Sequence, residues 1–294
     1  MLAGHSTNDS PATVATGDRL SEAMHERLGD FIGRTTGIKL PPNKRTMLEG
    51  RLGKRARSLG LNSVADYCRF LFDENGLTEE AVHLIDVVTT NKTDFFRESD
   101  HFGFLARVAV PELLRSRKSQ HSPLLKIWSA ASSTGAEAYT AAMVLDDLAQ
   151  RSANRFRFSV LGTDISTEVL RQARRAVYPL DMIEPVPDEL QRRYLMFGRD
   201  RERREVRIVP ELRRRVSFAH LNLMAEKYPV DNDVDLIFLR NVLIYFDKPT
   251  QTAVVQRLLR HLRKGGYIIF GHSETMIGAS LPLKQLAPSV FQLA

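Results

Sequence analysis

The 294-residue sequence contains one cysteine. Cys68 therefore cannot close an intramolecular disulfide, and there is no second thiol to build a multi-cysteine metal site, so nothing in the chain requires an oxidising compartment. Long apolar runs are missing as well. No stretch approaches the roughly 18 apolar residues of a bilayer span, and the N-terminal MLAGHSTNDSPATVATGD has neither the basic nor the apolar region of a secretion signal. These absences predict a soluble, cytoplasmic protein without membrane insertion, with residues 1–17 as a disordered tail. Internal repeats and low-complexity runs are not evident, and no D/N-P-P-Y/F tetrapeptide of the kind that holds a target nitrogen in amino-methylating nucleic-acid enzymes occurs.

The chain does carry an excess of positive charge: 42 Lys+Arg stand against 35 Asp+Glu, a formal +7. An anionic partner is the first thing this implies, and nucleic acid is one candidate. The excess is local. Residues 44–57 hold six basic side chains and one acid, and residues 171–215 hold thirteen and eight, so acids slightly outnumber bases elsewhere. Two basic islands on a mildly acidic protein do not make a nucleic-acid coat.

With 43% apolar residues the chain has material for one large core or two ordinary ones. From about Leu20 to Val88 apolar residues recur at helical spacing, broken at Gly37, Pro41/Pro42, Gly60 and Asn75/Gly76, which describes a small helical domain over 18–90. In the helix after Pro41, Leu48, Leu52, Ala56 and Leu59 form an apolar stripe, and Lys44, Arg51 and Arg55 fall within about 40° of one another beside it. That ridge reads either as an ordinary solvated face or as a docking surface for an acidic partner.

Beyond residue 122 the pattern becomes buried strand-like runs (Leu124–Trp128, Phe158–Leu161, Asp235–Leu239, Tyr267–Phe270) alternating with helical stretches (Ala136–Gln150, Thr167–Tyr178, Pro249–Leu262). This predicts an α/β domain over 91–294 with a largely parallel sheet covered on both faces. Two short β segments, Val206–Val209 and Val216–Phe218, predict a small β insertion at about 193–218.

In such sheets ligands bind beyond the carboxyl ends of the strands, which singles out four places. Ser129–Glu137 is a loop of small residues leading into a helix; it has one glycine and does not match G-x-G-x-x-G, so a plain tight turn is the alternative. Gly162-Thr163-Asp164 places an acid where ribose hydroxyls are held, or where a helix is capped. Arg240-Asn241 with Tyr245 is an unusual polar cluster after so apolar a run. Thr89–Arg97 joins the two regions with short polar side chains, two Phe anchors and an arginine able to fork onto a carboxylate.

On Thr89–Arg97 (TTNKTDFFR), Ile127–Tyr139 (IWSAASSTGAEAY), Gly162–Asp164 (GTD), Leu221–Leu223 (LNL), Arg240–Phe246 (RNVLIYF) and Gly271–Glu274 (GHSE), the sequence resembles the chemotaxis receptor methyltransferases of the CheR type, from about residue 25 to the C-terminus. The common family loop looks like STGEEPY; here Ala136 and Ala138 replace a Glu and a Pro, and Glu137 is kept. The resemblance implies a Rossmann-like S-adenosylmethionine-dependent domain with an N-terminal helical domain and a small antiparallel β insertion. It implies methyl transfer to glutamate γ-carboxylates of receptor cytoplasmic helices, with S-adenosylhomocysteine as product and no metal.

By the same resemblance, Asn91, Thr93, Arg97, Glu137, Asp164, Asn222, Leu223, Arg240 and Asn241 are the cofactor-binding positions. Asp164 is expected on the ribose, Asn222 and Leu223 beside the adenine, and Glu137, Asn91, Thr93 and Arg240 around the amino-acid end. Arg97 and Tyr245 are expected at the acceptor. Lys44, Arg51, Lys54, Arg55 and Arg57 are expected to grip acidic receptor helices, and the β insertion to take a C-terminal receptor tether. A monomer is expected. A nucleic-acid methyltransferase and a cofactor-binding scaffold without catalysis are the competing readings.

Overall fold

The structure, a computed structural model, describes residues 19–117, 122–152, 156–198, 202, 204–274 and 281–294. The tail expected over 1–17 lies outside these residues, as do positions 199–201 and 203 of the insertion loop. The chain divides into two compact units: one holds the described residues up to Phe31 with Leu40–Val88, the other Ile32–Lys39 with Thr89–Ala294.

The first unit is helical: α1 (Glu22–Thr36), which passes into the second unit at Ile32, α2 (Arg45–Ser58), α3 (Val64–Asp73) and α4 (Leu77–Val88). Ser63 caps α3 by accepting the Asp66 N–H at 3.0 Å. Leu48, Leu52 and Ala56 of the expected stripe are buried, as are Val64, Tyr67, Leu71 and Leu84, but Leu59 lies just past the end of α2 and is 39% exposed. The cationic residues beside that stripe differ from one another. Arg55 makes a two-pronged bond to the buried Glu80 at 2.6 and 2.9 Å, and Tyr67 donates to the same carboxylate at 3.0 Å. Arg51 donates to the carbonyls of Val87 and Val88 at the end of α4. Both fasten α2 to α4, while Lys54 and Arg57 are exposed.

In the second unit, after Ile32–Lys39 and the segment 89–99, α5 (Asp100–Phe104) runs through a π turn (Leu105–Ala109) into α6 (Val110–Ser116). There follow β1 (Leu124–Ala130), α7 (Ala136–Arg151), β2 (Arg157–Asp164), α8 (Thr167–Arg175), β3 (Val177–Pro179), α9 (Asp188–Tyr194), β4 (Leu195–Phe197), β5 (Glu205–Ile208), α10 (Pro210–Arg213), β6 (Val216–His220), β7 (Val234–Leu239), α11 (Lys248–Leu259), β8 (Leu262–Phe270), β9 (Leu283–Ala287) and β10 (Val290–Leu293). A 7-stranded sheet has the order β6-β2-β1-β7-β8-β10-β9. Its first five strands are parallel, and β10 runs antiparallel to both of its neighbours.

Strand alternation divides the core between the two faces. Leu125, Ile127, Leu236, Phe238, Tyr267 and Ile269 pack with α7 on one side. Trp128, Ala130, Ile237, Leu239, Ile268 and Phe270 pack with α11 on the other. Burial on both faces is why Leu236–Leu239 of β7 reads as an unbroken apolar run, while the buried Asp235 before it pairs with Arg117 and Arg263.

Two sequence expectations shift. Val216–Phe218, expected in the insertion, is the edge strand β6 of the main sheet, parallel to β2. Gly162 makes this possible, because a Cβ there would come within 2.6 Å of the Phe218 ring. The third strand of the small antiparallel sheet, ordered β3-β5-β4, is instead Val177–Pro179. The helix expected to reach Tyr178 ends at Arg175, since Ala176 turns left-handed at φ 53°. The segment Ile32–Lys39 belongs to the sheet unit for an equally local reason: Gly37, at φ 74°, sits so close to Met224 and Phe246 that a Cβ would meet Met224 Sδ at 2.7 Å.

Candidate active site

The sheet order reverses direction between β1 and β7, and a crevice at such a switch point is where open α/β sheets place ligands. Five of the six sequence motifs stand at the carboxyl ends of the five parallel strands: Ser129–Glu137 after β1, Gly162–Asp164 ending β2, Leu221–Leu223 after β6, Arg240–Phe246 after β7 and Gly271–Glu274 after β8. The sixth, Thr89–Arg97, is stitched to the same rim. Ser133 Oγ donates to the Asn91 carbonyl at 2.7 Å, the Phe96 N–H reaches Thr140 Oγ1 at 3.2 Å, and Arg240 donates to the Arg97 carbonyl.

The loop after β1 is tight. Ala131 and Ser133 take φ of 61° and 51° without being glycine, a strain that structures keep where it serves a site. Gly135, the residue before α7, is left-handed at φ 87°, and a Cβ on it would meet Phe218 at 2.8 Å. Asp164 holds this loop. One carboxylate oxygen accepts the Ser133 N–H at 2.8 Å and the other the Ser166 N–H at 2.9 Å. The capping role belongs to Ser166, which accepts from the Val169 N–H at the start of α8.

At the centre lies Arg240, its side chain 2% exposed. It donates to Glu137 Oε2 at 3.0 Å and to Glu98 Oε2 at 3.1 Å, and its guanidinium carbon stands 5.5 Å from the Phe102 ring centroid. Ser129 donates to the other oxygen of Glu137 at 2.7 Å. Burial lifts the Glu137 carboxyl above the ordinary carboxylate range against the pull of Arg240 and Ser129. Burial alone would raise Glu98 too, but the Asn241 amide at 3.1 Å and Arg240 together hold it below its usual value.

Sequence reasoning missed two of the groups that organise the rim. Glu98 follows Arg97 directly and was given no role. Glu274, within a quoted motif, was likewise unassigned: its buried carboxylate accepts the backbone N–H groups of Asn241, Val242, Leu243 and Gly271 at 2.7–2.8 Å. Burial nevertheless raises its pKa. Glu274 could have been found by inspecting every acid shortly after a strand end, here β8; Glu98 follows no strand and has no such signal.

The remaining expected positions are less tightly drawn together. Asn91 donates to Thr89 Oγ1 at 3.2 Å, and Thr93 is half-buried. The Asn222 amide donates to the Thr35 carbonyl at 2.6 Å, and its oxygen accepts from Met224, so it anchors the Ile32–Lys39 segment beside the buried Leu223. Arg97 is half-buried and donates to the Lys92 carbonyl at 3.3 Å. Tyr245 lies half-buried in the 3-10 turn Leu243–Tyr245, packed on the α11 side of the core.

The rim suits a nucleoside cofactor with a charged amino-acid end. Ser132 Oγ, Thr134 Oγ1 and Arg240 Nε are buried without a hydrogen-bond partner among the described residues, a state that costs free energy unless a ligand completes it. Carboxylates at Glu98, Glu137 and Asp164 outnumber the buried guanidinium of Arg240 there, which suits a ligand that carries positive charge. Sheet order, acid at the end of β2 and polar ring at the switch point are those of an α/β enzyme with a nucleoside cofactor, and the family match makes it a methyltransferase that uses S-adenosylmethionine. Residues 91–290 match the family model described as CheR methyltransferase, SAM binding domain, and residues 24–89 the one described as CheR methyltransferase, all-alpha domain.

The chain belongs to the CheR methyltransferase family. It is 36% identical over 266 residues to a chemotaxis protein methyltransferase of Borreliella burgdorferi, covering 90% of this chain and 92% of the relative. It is 38% identical over 269 residues to chemotaxis protein methyltransferase 2 of Pseudomonas aeruginosa, covering 92% of each chain. It is also 39% identical over 255 residues to a chemotaxis protein methyltransferase of Escherichia coli, covering 87% of this chain and 85% of the relative. No helix among the described residues is long and apolar enough to cross a membrane.

Proposed function

We propose that this methyltransferase esterifies glutamate γ-carboxylates on the cytoplasmic helices of chemoreceptors, giving glutamate methyl esters and S-adenosylhomocysteine. The observation that carries the reading is the convergence of six motifs on one rim, with Arg240 held between Glu137 and Glu98 at its centre. Asp164 takes the ribose; Leu223 and Asn222 flank the adenine; Asn91, Thr93, Glu137, Arg240 and Asn241 surround the amino-acid end.

The cofactor supplies a methyl group already activated on a sulfonium. The acceptor carboxylate is ionised at neutral pH, so its oxygen forms the new O–CH3 bond while the S–CH3 electron pair passes to sulfur, and no general base is required. The protein's task is positioning, worth roughly 7–11 kcal/mol when nucleophile and methyl are held in line. Arg97 orients the incoming carboxylate by a charge-assisted bond, and Tyr245 lines the methyl path or hydrogen-bonds a carboxylate oxygen. A tight grip by Arg97 would blunt the nucleophile, so orientation is its role.

Receptor docking falls to the basic face of α2. Lys54 and Arg57 are the exposed cations there, with Lys44 beside them, while Arg51 and Arg55 support the helix from behind through their bonds to α4. The β3-β5-β4 sheet is the place for a receptor tail by strand addition. The enzyme acts as a cytoplasmic monomer on protein, not on nucleic acid. Tritiated methyl transfer measured in parallel on receptor membranes, RNA and DNA tests the reading: base-labile label on receptor alone is expected, and label on nucleic acid, or on nothing, refutes it.

A further inference from the structure

We infer that Glu98 is a positioning residue that ties the cofactor-side pair Arg240 and Asn241 to the acceptor-side Arg97, an inference that rests on the roles given to those three residues above. Phe96 and Glu98 both adopt left-handed backbone, at φ 52° and 53°, so Arg97 is carried between two residues in a conformation L side chains rarely take. Such backbone persists where its surroundings hold it. The holding contacts are on Glu98 itself. Its Oε1 accepts from the Asn241 amide at 3.1 Å, and its Oε2 from Arg240 at 3.1 Å and from the His272 N–H at 3.3 Å. The same Arg240 nitrogen that reaches Glu98 also reaches the Arg97 carbonyl. One carboxylate thus gathers the ends of β7 and β8 and fixes the backbone that displays Arg97.

Its neighbours fit this role. His101 is buried, and neither ring nitrogen has a hydrogen-bond partner among the described residues; Nδ1 stands 3.5 Å from Glu98 Oε2 and Nε2 4.0 Å from Asp100 Oδ2. Burial and Arg240 push its pKa down to about 4, so the imidazole is neutral and adds no charge competing with Arg240. His272 packs edge-on against it at 4.8 Å and bonds Asp100 at 3.1 Å. Glu98, His101 and His272 offer ligand atoms within 4.8 Å of one another, a donor set transition metals accept. The Arg240 guanidinium already lies on the Glu98 oxygen nearest His101, however, and brings the positive charge a cation would supply.

The test is steady-state methyl transfer with the full chain, S-adenosylmethionine and receptor membranes, comparing Glu98→Gln, Glu98→Asp, Arg240→Lys, Arg97→Ala and the double variant Glu98→Gln/Arg240→Lys. Arg240→Lys should raise KM for the cofactor more than it impairs the acceptor side, and Arg97→Ala should impair the acceptor side with little change in cofactor affinity. Glu98→Gln should impair both, each by about tenfold to a hundredfold, with a thermal midpoint near that of the parent. Glu98→Asp, which keeps the charge, should recover part of both, and the double variant should bind cofactor no more weakly than Arg240→Lys. Parental kinetics in Glu98→Gln beside impaired Arg240→Lys would overturn the link and spare the site assignment. Parental cofactor affinity in Arg240→Lys would overturn both. Activity removed by a chelator and restored by zinc would make Glu98, His101 and His272 ligands and overturn the proposal.

Discussion

The Arg240 guanidinium donates to the Glu137 carboxylate at 3.0 Å, joining the end of β7 to the first turn of α7 across the switch point of the sheet. The two residues lie 103 positions apart, so this ion pair exists only when the sheet is assembled in its observed order. It makes the cofactor rim a product of the fold. Arg240 is 2% exposed in its side chain; without Glu137 it keeps Glu98 but loses a hydrogen bond between charged groups, worth about 1.5–3 kcal/mol. Glu137→Ala should therefore lose both cofactor affinity and stability, measured by calorimetric titration and thermal melting.

Asp164 binds its own loop through two backbone N–H groups and is assigned the ribose hydroxyls. Asp164→Ala should weaken S-adenosylhomocysteine binding by about 2–4 kcal/mol, the usual range for hydrogen bonds to a charged group plus the amides left unpaired. Asp164→Asn, which keeps an oxygen for one amide, should lose less. Titration calorimetry on both variants checks the order.

Glu274 satisfies four buried backbone N–H groups with one carboxylate. Glu274→Gln replaces an acceptor oxygen by a donor aimed at amides, and each buried N–H left unpaired costs about 1–3 kcal/mol. The variant should melt several degrees lower and lose cofactor affinity, since the loop it holds begins at Asn241. An unchanged melting curve would contradict the role.

Arg97→Ala should lower the transfer rate well below the parent while cofactor affinity changes little, because among the described residues the side chain bonds the Lys92 carbonyl and its proposed task is the acceptor. Near-parental turnover would remove Arg97 from the mechanism.

Acid should destabilise the cofactor unit through His101. Its folded pKa, pushed down to about 4 from the usual 6.5 by burial and Arg240 despite Glu98 and Asp100 beside it, means the unfolded chain binds the proton first. Stability is then full above about pH 6.5 and falls as pH drops toward 4, at up to about 1.4 kcal/mol per pH unit. His101→Phe should flatten that part of the stability–pH curve, read from urea unfolding at a series of pH values.

On α2 the basic residues should separate into two groups. Arg55→Ala strips the partner from a buried Glu80 and should destabilise the helical unit by about 3 kcal/mol or more. Lys54→Glu and Arg57→Glu, at exposed positions, should leave stability alone and weaken receptor binding, most at low salt where the Debye length is long. Binding to receptor membranes across a salt series distinguishes them.

The strand-end positions of the site were legible because buried parallel strands read as apolar runs, and ligands gather where such runs stop. Asp164, Arg240 and Asn241 were placed that way, and the family resemblance gave them roles. Glu98 and Glu274 were not assigned, since a carboxylate's value there lies in partners up to 174 residues away, which spacing along the chain does not encode. β6 was misplaced for a related reason: Val216–His220 joins β2 through a crossover and a gap left by Gly162, and neither leaves a periodic trace. The cationic ridge on α2 was seen, but periodicity shows which way Arg55 points and not that Glu80 waits there.

The most direct measurement is mass-spectrometric mapping of receptor cytoplasmic domains co-expressed with this enzyme. Glutamate γ-methyl esters, in which a CH3 group takes the place of the carboxyl proton for a net gain of CH2, are expected at discrete helix positions and absent with Asp164→Ala. Receptors recovered without any methyl ester from cells holding the folded, cofactor-binding enzyme would contradict the assignment of receptor glutamates as its substrate.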